Sequence, residues 1–344
     1  MKICAEKLFL TSGAYRHHDG KWKSTAEFNP SGHLVFSDWH CSLFSRDFPA
    51  SYSLFGLLKE KDLNLTSVLS IGSNDSWIFI ATPGSITAVE KNHGNSVSVD
   101  ISVVQVASDG HNVYCLKDET VNLLKVVNLE NIIAVDRPLS FTIKVKSISC
   151  GLGFLLCLTC SGQVFSQGIG SRGQLGLGDL TDRTELTIIK ALQILTVTQI
   201  SAGNWHSVCL TDTGDVYTWG WNEHGQLGHK SLGVSNKSES ITEIERRSCV
   251  SVLALPAPID FPDDLPISQI ACGGCHTVCL TEDGILFCFG CNKFGQLGFG
   301  PSVEAVDSPV KHPFSTAQHL DSNMTISSVY CGLWCTTLCL SSKT

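Results

Sequence analysis

Four of the five cysteines and a histidine in the stretch CGGCHTVCLTEDGILFCFGCNKFGQLG, residues 272–298, are spaced for chemistry. Cys272-x-x-Cys275-His276 has the spacing of a c-type haem attachment, and Cys288-x-x-Cys291 adds what a four-thiolate zinc site needs. Gly168, Gly170 and Gly173 spell the dinucleotide fingerprint G-x-G-x-x-G. No Gly-x-Ser-x-Gly elbow, His-Glu-x-x-His pair or Walker loop is present, and His17-His18 and His40-Cys41 stand isolated.

The chain itself contains the control for these motifs. Residues 148–176 read ISCGLGFLLCLTCSGQVFSQGIGSRGQLG, and 200–228 read ISAGNWHSVCLTDTGDVYTWGWNEHGQLG. Residues 270–298, IACGGCHTVCLTEDGILFCFGCNKFGQLG, align with both without a gap, and VYCGLWCTTLCL at 329–340 repeats the first half. Cys272 then falls in a column with Cys150, Ala202 and Cys331, and Cys275 with Trp205 and Gly153. Cys288 aligns with Thr218 and Ser166, and Cys291 with Trp221 and Ile169. Nothing in those columns demands a thiolate, so these cysteines read as small buried hydrophobes; no metal, haem or other cofactor is expected. The dinucleotide reading fails too, because QLGLGDLTDRT follows in place of an apolar helix. Asn222 and Asn292 share the column of Gly170, which predicts a left-handed turn there.

The elements that carry these residues read as short strands. Runs such as 208–211 (VCLT) and 216–220 (VYTWG) are β-branched and aromatic, and Asp-Thr-Gly, Glu-Asp-Gly or Cys-Ser-Gly joins each pair as a hairpin. One such unit cannot bury both faces, so neighbours must cover it, and radial stacking does so while leaving only short edges.

Composition agrees with a large all-β domain and limits its business. The 344 residues are 43% hydrophobic and 16% charged, which suits a globular chain. A net charge of −8 speaks against capture of nucleic acid through phosphates. No secretory leader or membrane span is expected, so the 16 cysteines are expected as free thiols.

Gly-x-x-His-Ser/Thr, then Thr-Gly or Asp-Gly, then Val-Tyr-x-Trp-Gly-x-Asn-x-x-Gly-Gln-Leu-Gly resembles the regulator of chromosome condensation repeat family. The resemblance implies an all-β, about seven-bladed propeller spanning residues 1–344 as a single domain. Clear repeats are read at 148–178, 200–229, 270–300 and 329–340, degenerate blades over 1–147, and a seventh within 14–60. KLFLTSG at 7–13 is the candidate to complete the half-copy at 329–340 and close the ring. Gly151, Gly203, His206, Trp219, Gly220, Asn222 and Gly225 are assigned structural roles, as are Gly273, His276, Gly290, Asn292 and Gly295. The column histidines are expected to bond a neighbouring blade's backbone; Phe154 replaces them in one copy, which argues against catalysis.

Two stretches leave the repeat. Residues 229–266 form an inserted loop, expected on a binding face, and 135–147 is a basic extended piece whose plain reading is a blade's outer strand. Arg137, Lys144, Lys146, Arg246 and Arg247 in them, with Trp221 just after a glycine, are the candidate partner contacts. The resemblance is strongest to short single-propeller members of the family. It implies a non-catalytic scaffold bound to a JmjC-domain Fe(II)/2-oxoglutarate oxygenase, the iron belonging to that partner. Roles in chromatin regulation and chromosome segregation follow, in nucleus and cytoplasm, with histone contact through the complex and neither direct DNA binding nor membrane attachment. The alternative is guanine-nucleotide exchange on a small nuclear GTPase, as in the family's founder, although this chain lacks a basic tail.

Overall fold

The computed structural model describes residues 69–342 except 74–76, 91–94, 129–130, 135–142, 236–247, 300–301 and 314–323, and before residue 69 the backbone of the strands between 8 and 63. Its strands form seven four-stranded antiparallel sheets. The chain begins with β1 (Leu8–Arg16) and β2 (Trp22–Ser24), which belong to the last sheet. The first blade is β3 (His33–Ser37), β4 (Cys41–Asp47), β5 (Ser51–Gly56) and β6 (Lys61–Leu63). The second is β7 (Ser70–Ser73), β8 (Trp77–Thr82), β9 (Ser85–Glu90) and β10 (Ser96–Val99). The third is β11 (Gln105–Ser108), β12 (Val113–Lys117), β13 (Thr120–Asn128) and β14 (Asn131–Ala134).

The three clear repeats build the next blades. The fourth is β15 (Val145–Gly151), β16 (Phe154–Thr159), β17 (Val164–Gly168) and β18 (Arg183–Ile188). The fifth is β19 (Val197–Ala202), β20 (His206–Thr211), β21 (Val216–Trp221) and β22 (Val252–Pro258). The sixth is β23 (Ile267–Cys272), β24 (His276–Thr281), β25 (Leu286–Cys291) and β26 (Ala305–Lys311). In the seventh, β27 (Met324–Gly332) and β28 (Cys335–Ser342) are completed by β1, with Leu8 opposite Leu340 and Gly13 opposite Cys335. The N-terminal strand thus supplies what the half-copy lacks. First strands of successive blades adjoin from β3 to β27, and β27 also lies beside β3.

Each apolar cluster is shared by two blades, which is why one repeat cannot fold alone. Phe154, Leu156 and Leu175 of the fourth blade pack with Ile200, Cys209 and Trp219 of the fifth, and Val208 and Val216 of the fifth pack with Phe287 and Phe289 of the sixth. Fully burying side chains of this size contributes roughly 1.5–3 kcal/mol each. Hairpin turns take the expected form, with Gly162, Gly214 and Gly284 at φ between 78° and 87°.

Polar columns join the same seams. His206 Nε2 meets Thr277 Oγ1 at 2.9 Å and His276 Nε2 meets Thr336 Oγ1 at 3.0 Å, each on the next blade. Those hydroxyls donate to the carbonyls of Gln226 and Gln296, so they accept from the imidazoles, which fixes the proton on Nε2. The partner is therefore a side-chain hydroxyl, and at His276 the backbone of Cys335 on the next blade adds the kind of bond that was expected. Gly203 and Gly273 leave room for these rings: a Cβ there would stand 2.1 and 1.9 Å from the imidazole Cε1. A second column clamps the first strands together. Gln199 donates to Ile270 O and accepts from Ile270 N, and Gln105 with Ile148 and Gln269 with Val329 do the same.

The column of Gly170, Asn222 and Asn292 corrects an expectation: none of the three has positive φ, which belongs instead to Gly173, Gly225 and Gly295. The asparagine acts through its amide. Asn222 donates to His229 O and Val250 O and accepts from Leu227 N; Asn292 donates to Phe299 O and Val303 O and accepts from Leu297 N. At Gly170 a Cβ would lie 2.2 Å from Thr181 O, and its N–H bonds Asp182 instead.

Candidate interaction face

In an antiparallel blade, the turn from first to second strand and the connection from third to fourth lie at one end. The central hairpin and the link to the next blade lie at the other. This rule divides the candidate contacts. Trp221 ends β21, so it shares an end with the 203–205 turn and with the connection 222–251. Lys144 precedes β15 and Lys146 lies within it, at the opposite end beside the hairpin of β12 and β13. There exposed Lys144 pairs with Glu119 at 2.9 Å, which holds the carboxyl below and the ammonium above their usual ranges. Residues 145–147 open a first strand, not the outer strand expected of them. Arg137, Arg246 and Arg247 lie outside the described residues.

The inserted stretch expected at 229–266 resolves into parts. Val252–Pro258 is β22, hydrogen-bonded to β21, and a short 3-10 turn at Pro262–Asp264 leads on to β23. What departs from the repeat is the connection 222–251, against 169–182 and 292–304 in the flanking blades. Its root is stapled. Val250 N bonds Lys230 O, Asn222 holds both limbs, and buried Asp307 on β26 receives Lys230 Nζ at 3.3 Å and Ser231 N at 3.0 Å. Helix α1 (Leu232–Ser235) follows and contacts β26.

Beside that root lies an aromatic corner. The Arg172 guanidinium carbon stands 4.3 Å from the Trp221 ring centroid and 4.9 Å from that of Trp205. The two indoles meet at 5.3 Å and 80°, and the His224 ring sits 5.8 Å from that of Trp221 at 66°. Gln174 Oε1 accepts the Arg172 backbone N–H at 2.8 Å and so fixes the turn. Further round the same end, Phe294 meets Trp334 at 5.1 Å, in the columns of Arg172 and Trp205. Trp219, by contrast, is fully buried and donates to Gln174 O. Arg172 was legible only through its column, three residues before each Gly-Gln-Leu-Gly's leucine, where Arg, His and Phe alternate.

The cysteines go elsewhere. Cys150, Cys272 and Cys331 line a cavity of about 200 Å³ at the first strands, with Ser149, Ser201 and Gly273. Cys275, Cys288 and Cys291 are buried, and burial pushes the Cys272 and Cys275 thiols up to about 12 and Cys288 up as well. Cys272, Cys275 and Cys288 are thus protonated near neutrality, the wrong state for a ligand or nucleophile. Among the described residues, no three His, Cys, Asp or Glu are grouped to hold a metal ion. No helix among them is long and apolar enough to cross a membrane.

The model of the regulator of chromosome condensation (RCC1) repeat matches residues 161–210, 213–280 and 283–339, about half of the chain. The chain belongs to the RCC1 repeat family. Each match begins near a central hairpin and ends in the next blade, so the RCC1 repeat is offset from the structural blade. Mouse RCC1 domain-containing protein 1 is 35% identical over 216 residues, covering 58% of this chain and 56% of that protein. The human protein of the same name is 33% identical over 218 residues, covering 58% and 57%. The chain therefore matches little more than half the length of these curated relatives. Among solved structures, Prp20p from Saccharomyces cerevisiae superposes with a TM-score of 0.73 at 16% identity, over 100% of this chain and 93% of that one. That likeness speaks for the RCC1 propeller fold alone, and a propeller of this family suits a protein-interaction or exchange-type role.

Proposed function

We propose that this chain is a non-catalytic scaffold that seats a JmjC-domain Fe(II)/2-oxoglutarate oxygenase and works in chromatin regulation and chromosome segregation, in the nucleus and cytoplasm. The choice of partner rests on the repeat's resemblance to short single-propeller members of the family, and Prp20p, which shares the fold, has binding properties to Gsp1p and histones. The observation that carries the reading is the stapled connection 222–251 beside half-exposed Trp205, Trp221 and Arg172. Tryptophan and arginine are the side chains that dominate protein interfaces when a partner covers them. The column imidazoles His206 and His276 and the Cys272 thiol are held neutral by burial, so the chain offers a surface and the chemistry stays with the partner.

Affinity capture with the intact chain, read by mass spectrometry, tests this. The wild type is expected to recover the oxygenase, and Trp221→Ala to lose it by about tenfold or more. Lys144→Ala with Lys146→Ala reports the opposite end and is expected to retain it. Recovery of a small GTPase that leaves when nucleotide is added would overturn the reading in favour of exchange. Loss through the lysines alone would move the partner to the other face.

A further inference from the structure

Arg172 has an unusual balance of contacts for a cation. Arg183 has Asp179, Lys230 has Asp307 and Lys144 has Glu119, whereas no carboxylate among the described residues pairs with Arg172. Its guanidinium carbon lies over the indole faces of both Trp205 and Trp221. A guanidinium has five N–H donors, and no hydrogen bond to a described carboxylate uses them here; donors turned away from the rings match a carboxylate in bidentate geometry. The two indoles meet at 80° and their cation seat is taken, so a ligand's ammonium has no place there. Among the described residues, what the corner lacks is an anion.

We infer that the Arg172–Trp205–Trp221 corner is a carboxylate-recognition site that binds an acidic segment of a protein partner, a proposal that rests on the scaffold reading and gives the partner's docking segment its chemistry. The rings hold the guanidinium in place before the partner arrives, so little side-chain freedom is lost on binding. A basic segment such as a histone tail is rejected by the same cation.

The test uses the full chain and a fluorescently labelled peptide of alternating Asp and Glu, with its Asn/Gln counterpart as control, read by anisotropy at low and at physiological salt. The acidic peptide is expected to bind and the amide peptide not. Arg172→Gln is expected to weaken binding about tenfold or more. Arg172→Lys, which keeps the charge but loses the fork, falls between, and Lys144→Ala leaves it unchanged. Equal binding by wild type and Arg172→Gln overturns the site, as does no binding at low salt. Capture of the oxygenase unaffected by Arg172→Gln overturns the site while leaving the scaffold reading intact. Peptide binding that depends on Arg172, with no oxygenase captured by wild type, leaves the site and removes the partner.

Discussion

Acid should unfold this protein through two buried imidazoles. His206 and His276 are fully buried, and each gives its Nε2 proton to a threonine hydroxyl that is itself committed to a carbonyl. Neither Nδ1 has a hydrogen-bond partner, and each lies against a glycine, Gly203 or Gly273, so a second proton would find no acceptor. Burial pulls His206 from 6.5 down to about 3, with His276 nearby adding to the fall, and pulls His276 down to about 4 against an opposing backbone hydrogen bond at Cys335. Below 6.5 the unfolded chain takes up a proton at each ring that the folded chain refuses. The unfolded state therefore binds more protons across that window, and stability falls as pH falls. Each pH unit costs about 1.4 kcal/mol per ring, so moving from pH 7 to pH 5 costs about 2 kcal/mol at each and about 4 kcal/mol together. That is a large share of a total stability of roughly 5–15 kcal/mol. Phe154 supplies the control, since it fills the same column fully buried against Gly151. Urea unfolding at both pH values should show the wild type losing about 4 kcal/mol more than a His206→Phe, His276→Phe double variant. Equal acid sensitivity in the two proteins would refute the reasoning.

Gln199→Ala strips Ile270 of a donor and an acceptor and should lower stability by about 1–3 kcal/mol in urea unfolding. Ser147 holds that column in the fourth blade, opposite Leu158 as Gln199 is opposite Leu210, so Ser147→Gln should add a clamp to Ile200 and raise the midpoint. Alkylation followed by peptide mapping should label exposed Cys160 in the native protein and reach Cys157, Cys209 and Cys288 only once it unfolds. Labelling of Cys288 at the native rate of Cys160 would contradict the buried-thiol account.

The fourth to sixth blades were readable because their turns and seams are written in residues with few substitutes. A Gly that seats an imidazole, or a Gly at φ near 70–80° in Gly-Gln-Leu-Gly, tolerates no Cβ, so the pattern survives in each copy. The first blade lies at 33–63, overlapping the poorly patterned stretch 14–60 where a seventh was sought and running three residues past it, and carries no such mark. The glutamine clamp was missed because a lone Gln on a strand looks like a solvent-facing residue until its neighbour's backbone is seen beside it. Asn222 misled for the opposite reason: Asn shares its column with Gly, yet it serves through its amide and not its backbone. The candidate contacts were grouped by charge, whereas strand direction sets Lys144 and Trp221 at opposite ends. The corner itself draws Arg172 from one blade and Trp205 and Trp221 from the next, which a single repeat does not display.

The most direct measurement is the mass of the species formed when the intact chain is mixed with a purified JmjC-domain oxygenase, by mass photometry, for wild type and Trp221→Ala. A scaffold of the kind proposed forms a discrete complex with the wild type that is largely lost in the variant. Two unassociated proteins, together with accelerated nucleotide release from a small nuclear GTPase on adding this chain, would contradict it.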